Sequence, residues 1–147
     1  NSVMKEINIW TDGACSGNPG KGGWGALLIY NGNTKTISGG EKETTNNKME
    51  LMAVISALRT LKEPCIVKLR SDSAYVVNAF KDDWITGWQN NNWRNSKKQP
   101  VANKELWLEL IKLTQIHKVT FIKVQGHASD VNNNLCDELA RKEITKL

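Results

Sequence analysis

Polar and apolar residues alternate from Glu6 to Asp12. Ile7, Ile9 and Thr11 fall on one face and Asn8, Trp10 and Asp12 on the other, the period of a β-strand. From Asp12 to Gly25 glycine recurs so often that the stretch reads as tight turns and close backbone approach. Trp24 to Tyr30 is a mostly apolar strand, Asn31-Gly32-Asn33 is a hairpin signal, and Thr34 to Ser38 returns as a third strand. Thr44 to Asn47 offers several N-cap residues for a helix reaching about Leu61, whose core from Met49 to Leu58 carries one charge, Glu50. Cys65 to Ser71 then reads as a strand and Ala74 to Phe80 as a short helix. Trp84 to Pro100 is irregular. Asn103 opens an amphipathic helix to about Gln115, with Leu106, Trp107, Leu110, Ile111 and Thr114 at helical spacing. Val119 to Val124 is the last strand, and Ser129 or Asp130 caps a final helix. Strands first, then alternating helix and strand, predict an α/β domain of about five strands.

Composition narrows the class only modestly. With 147 residues, 39% of them hydrophobic, the chain is expected to be one domain with a real core, residues 1–4 being a disordered or non-native extension. A net charge of +5 suits an anionic partner without demonstrating one. Cys15, Cys65 and Cys136 are odd in number and widely spaced, which argues against a disulfide framework or zinc site and for a reducing compartment. No apolar run reaches the ~18 residues of a membrane span, and no signal peptide is visible. The expectation is a cytoplasmic protein with no membrane partner, monomeric by default.

Four acidic positions carry the candidate chemistry. Asp12 closes the first strand, either as a turn-opening residue or as a ligand. Glu50 lies on a nearly apolar helix, on an exposed strip or in a site that needs its charge. Asp72 stands at the C-terminal end of its strand, the edge where open α/β sheets bind ligands, but an Asp between two serines before a helix is also a natural N-cap. Asp137 and Glu138 both flank the apolar stripe of the last helix, each with a basic residue four positions on, and pattern alone does not choose between them. Converging carboxylates would suit a hard cation such as Mg²⁺ or Mn²⁺, two of which can drive an in-line phosphoryl displacement. His127 sits in a glycine-containing loop, where imidazole suits proton transfer. His117 reads as a surface residue.

The motifs TDGACSGNPG, TTNNKMELMAVISAL, SDSAYV, QGHAS and NLCDELA, in this order and spacing, resemble the type 1 ribonuclease H family in its bacterial form, over nearly the whole chain. That resemblance implies a five-stranded mixed sheet, three antiparallel strands followed by strands parallel to the first, with helices on both faces. It implies hydrolysis of the RNA strand of RNA/DNA hybrids by a two-metal-ion mechanism with Mg²⁺ or Mn²⁺, leaving 5′-phosphate and 3′-hydroxyl ends. The family's metal-binding acids fall on Asp12, Glu50, Asp72 and Asp137, which chooses Asp137 over Glu138, and its loop histidine falls on His127.

Family contacts to the RNA 2′-hydroxyls and minor groove map onto Cys15, Asn18, Asn46 and Asn47, and a DNA-strand phosphate pocket maps onto Thr45 and Asn103. The irregular segment matches a basic protrusion that holds the DNA strand, here with Trp84, Trp88, Trp93, Lys97 and Lys98. It departs from well-studied relatives at Gln89 to Asn92, where they often carry basic residues, and at Ala74, where some carry a Gln that contacts the substrate. Two other readings are a DNA-directed nuclease of this fold, opposed by the residues matching RNA contacts, and a non-catalytic hybrid-binding module, opposed by the complete set of acids.

Overall fold

The computed structural model describes residues 3–125 and 130–147. Five strands form one sheet: β1 (Lys5–Gly17), β2 (Gly20–Tyr30), β3 (Asn33–Thr44), β4 (Cys65–Ser71) and β5 (Lys118–Lys123), in the order β3-β2-β1-β4-β5. β1, β2 and β3 pair antiparallel, whereas β4 pairs parallel with β1, and β5 with β4. The helices are α1 (Asn46–Arg59), α2 (Ala74–Lys81), α3 (Trp84–Asn90), α4 (Lys104–Ile116) and α5 (Val131–Thr145). This is the mixed sheet that the sequence implied.

The glycine-rich stretch differs from expectation. Instead of opening into turns at Asp12, β1 continues to Gly17, and β2 begins at Gly20, so only Asn18-Pro19 lies outside the ladder. Gly13, Gly23 and Gly25 sit where helices press on the sheet from both sides, whereas Gly17 and Gly20 serve the turn itself. A Cβ on Gly13 would lie 2.6 Å from the Glu50 nitrogen of α1, and one on Gly23 would lie 2.1 Å from the Ala140 carbonyl of α5. Cross-strand pairing sets Asp12 beside Gly25, whose own missing Cβ makes room for the Cys136 carbonyl of α5. At the next hairpin, Asn31 and Gly32 both take positive φ (51° and 78°), as a two-residue turn between twisted strands requires.

Local signals set the helix ends. Thr45 caps α1, its hydroxyl accepting from the Lys48 amide at 3.2 Å; Asp130, rather than Ser129, caps α5 through the Asn133 amide at 2.9 Å, Ser129 itself lying outside the described residues. The segment expected to be irregular contains α3, started by Asp83 bonding Thr86. The core between the sheet and α1, α2 and α4 is closed by Ile9, Leu51, Val67, Leu69 and Trp107.

His117 is not on the surface. It is buried between α4 and β5, and its Nδ1 accepts the Cys65 amide at 3.1 Å, so the ring is neutral and burial lowers its pKa. Single-sequence pattern missed it because the bond joins the start of β4 to the helix that ends 51 residues away in a different part of the chain.

Gly23→Ala should cost about 1–3 kcal/mol or more, because the new methyl meets the Ala140 carbonyl, which is helix backbone and cannot turn away, with the Glu143 Cβ also close. Urea melts of the variant and the parent measure it; a loss of only a few tenths would mean that α5 shifts freely on β2.

Candidate active site

The acids converge at the end of the β1–β4 parallel pair. Asp12 lies on β1 one residue beyond Thr11, which pairs with Ser71, and Asp72 follows Ser71 directly. Glu50 comes from the second turn of α1 and Asp137 from the second turn of α5, so both faces of the sheet contribute. Carboxylate oxygens of Asp12, Glu50 and Asp72 all lie within 4.8 Å of one another. Asp137 lines the same cleft, together with Gly13, Asn46, Asn47, Ser73, Ala74 and Tyr75, in a space of about 430 Å³.

Local chemistry removes the structural alternatives for two of these acids. Asp72 is not the cap of α2: Ser73 fills that role, its hydroxyl accepting from the Val76 amide at 3.2 Å. Glu50 is not on an exposed strip. It is 5% exposed, and its Oε1 is buried without a hydrogen-bond partner. Asp137 forms an i,i+4 ion pair with Arg141 at 2.9 Å, and Glu138 is exposed and outside the cleft lining.

Burial and mutual repulsion dominate the electrostatics. Asp12 is pushed up to about 8, first by desolvation, then by the nearby charges of Asp72 and Asp137; the Gly13 amide, donating to Oδ1 at 3.0 Å, offsets only part of this. Glu50 is held well above the usual carboxylate range by desolvation, then by Asp12 and Asp72. Among the described residues, no ion pair neutralises Asp12, Glu50 or Asp72. An orphaned buried carboxylate oxygen within an all-oxygen donor set fits a hard divalent cation and does not suit zinc.

Other expected positions surround this centre. Cys15 is half-buried, its thiol directed at the carbonyls of Thr44 (3.4 Å) and Gly20 (3.6 Å). Asn18 Oδ1 accepts the Asn46 amide at 3.2 Å, so the β1–β2 turn is tied to the start of α1. Asn103 precedes α4 in a left-handed conformation (φ 62°) with no side-chain cap bond to its helix, and its Nδ2 donates to the Tyr75 hydroxyl at 3.3 Å. Trp88 and Trp93 pack inward against the core, with Trp88 5.1 Å from the Trp107 ring, whereas Trp84 is 37% exposed. Lys97 and Lys98 are exposed in a loop closed by Asn95 Oδ1, which accepts the amides of Lys97 and Gln99. His127 lies outside the described residues. Tyr75 is the cleft residue that sequence reasoning passed over; its signal was only an aromatic three positions after Asp72.

The pH dependence has a definite sign. Asp12 holds a proton in the folded protein up to about pH 8 but loses it near 3.8 when unfolded. Its contribution is therefore fully present below about pH 4 and lost as pH rises through 8. In EDTA at pH 8, Asp12→Asn should be more stable than the parent by about 2 kcal/mol, a gap that closes toward pH 4. Thermal melts across that range decide it, and added divalent cation should stabilise the parent but not the variant.

The RNase H family model matches residues 4–145 of the chain. Ribonuclease H of Acetivibrio thermocellus is 58% identical over 143 residues, 97% of both chains. Ribonuclease H of Symbiobacterium thermophilum is 59% identical over 141 residues, 96% of both. The crystal structure of LC9-RNase H1 superposes with a TM-score of 0.88 at 27% identity, covering 99% of this chain and 75% of that one. LC11-RNase H1 in complex with RNA/DNA hybrid gives 0.74 at 27% identity, over 95% and 97%. Matched along almost its entire length, and with the three closest acids gathered at one sheet edge, this chain belongs to the RNase H family.

Proposed function

We propose that this chain is an endoribonuclease that hydrolyses the RNA strand of RNA/DNA hybrids, with Asp12, Glu50, Asp72 and Asp137 holding two Mg²⁺ ions, or Mn²⁺ in their place. The observation that carries the reading is the unpartnered Glu50 oxygen among three carboxylates within 4.8 Å, in a chain whose relatives are named Ribonuclease H. Bound there, such ions would supply an activated water and charge stabilisation for the leaving oxygen.

The remaining steps fall to the protein. Asp12 and Glu50, whose charged forms burial disfavours, would give up any proton they hold on becoming ligands, so loading would be pH-dependent. Asn46 and Asn47 face the cleft from the first turn of α1, where a polar group can reach a minor-groove edge. Asn18 spends Oδ1 on the Asn46 amide and keeps its NH₂ for a ribose hydroxyl. Cys15, given a ribose-side contact by the family resemblance, turns its thiol to the Thr44 and Gly20 carbonyls beside the start of α1. Thr45 spends one oxygen lone pair on the Lys48 amide and keeps its hydroxyl proton for a DNA-strand phosphate, a role the family resemblance shares between Thr45 and Asn103. Trp84, on the exposed end of the aromatic row, and Lys97 and Lys98 contact the DNA strand, while Trp88 and Trp93 act by holding that segment's shape. His127 assists proton transfer or product release, a role drawn from the family resemblance alone. The ordinary setting for such an enzyme is the cytoplasm, as a monomer.

End-labelled RNA in RNA/DNA, RNA/RNA and DNA/DNA duplexes tests this reading directly. RNA-strand cutting in the hybrid alone, abolished by EDTA, is expected; cutting of DNA, or binding without cutting, overturns it. Asp12→Asn should lower cleavage at least ~1,000-fold and leave hybrid affinity within about threefold. Equal loss of both would make Asp12 structural. The neutral Gln89 to Asn92 run should also flatten the log–log plot of affinity against salt by about one unit of slope for each phosphate contact missing relative to a strongly basic relative. An equally steep plot would show that Lys97 and Lys98 suffice.

A further inference from the structure

We propose that the Tyr75 hydroxyl is a positioning group that fixes Asn103 against the cleft and so sets the affinity for the hybrid's DNA strand; this rests on the hybrid-nuclease reading above. Tyr75 sits in the first turn of α2 and lines the cleft with the four acids. Its hydroxyl oxygen accepts two hydrogen bonds, from Asn103 Nδ2 at 3.3 Å and from Trp107 Nε1 at 3.0 Å. A phenol oxygen has two acceptor sites, and both are used.

The conformation of Asn103 shows where its side chain is committed. An Asn before a helix ordinarily takes an extended backbone and bonds the helix's own amides. Asn103 is instead left-handed (φ 62°, ψ 29°), which Asn tolerates at little cost, and its side chain makes no bond to α4, although its carbonyl accepts the Trp107 amide at 3.0 Å. Its amide is turned toward α2. Without the phenol oxygen, its Nδ2 would lose the one partner the structure gives it.

The second donor makes this fixed point rigid. Trp107 is fully buried, and its ring lies 5.2 Å from Tyr75 and 5.1 Å from Trp88, which in turn lies 6.3 Å from the half-exposed Trp84. One oxygen therefore anchors Asn103 and the inner end of the aromatic row that supports the DNA-strand segment. Tyr75 itself is not placed on the reacting atoms, so its loss should be felt in binding and not in the chemical step.

Tyr75→Phe keeps the ring and removes the oxygen. Expected is a rise of about tenfold in KM for hybrid, the size of one lost hydrogen bond at the contact, with kcat within about twofold. Asn103→Ala should raise KM to a similar degree, and the double variant no further. An unchanged KM in Tyr75→Phe, or effects of the two single variants that multiply, overturns the proposal. The side-chain amide signal of Asn103 in the free protein separates this from the reading it rests on. A displaced signal in Tyr75→Phe supports the coupling even if the parent proves unable to cut hybrids, and an unmoved one overturns it whatever the parent cuts.

Discussion

Three carboxylates crowded within 4.8 Å, two of them buried, form an arrangement that a chain would not adopt for stability. Like charges at that spacing repel, and desolvation penalises the charged forms of Asp12 and Glu50 further, which is why both are pushed above the usual carboxylate range. The rest of the fold answers to that cost. Asp12 and Asp72 are held by neighbouring parallel strands, whose ladder fixes their separation whatever their charge state. Glu50 is held by a helix that rests on Gly13 with no side chain between. Repulsion therefore cannot relax by moving one acid away, and the strain remains available to whatever cation relieves it.

Much of this was legible in the sequence because the elements are locally consistent. Strict alternation in Glu6 to Asp12, the Asn-Gly turn and the helical spacing from Leu106 to Thr114 each specify one structure, and each is found. What was not legible depends on partners distant in sequence. The glycines after Asp12 look alike whether they make turns or receive a helix, and only the approach of α1 and α5 tells the two apart. His117 reads as a polar residue between two elements until the Cys65 amide is seen facing it. The site shows the same division. The positions of the acids could be read from motifs, but the fact that Ser73 frees Asp72 from capping could not.

Tyr75 illustrates a different limit. Nothing in SDSAYV marks a phenol as a junction, because its two donors come from α4 and its approach, far along the chain. Polar atoms shared between distant elements are invisible to periodicity, yet they determine whether neighbouring groups act together. The aromatic residues of the neighbouring segment divide likewise: three tryptophans that look equivalent in sequence separate into two that pack inward and one that meets solvent.

The seating of α5 on the bare backbone of β2 has a consequence for the order of assembly. β1, with Asp12, α1, with Glu50, and Asp72 are all made before α5, with Asp137. Until α5 settles into the glycine cradle, a growing chain holds the closest three acids but lacks the wall of the cleft that Asp137 supplies. Completion of the cleft therefore waits on a docking event between elements far apart in the chain.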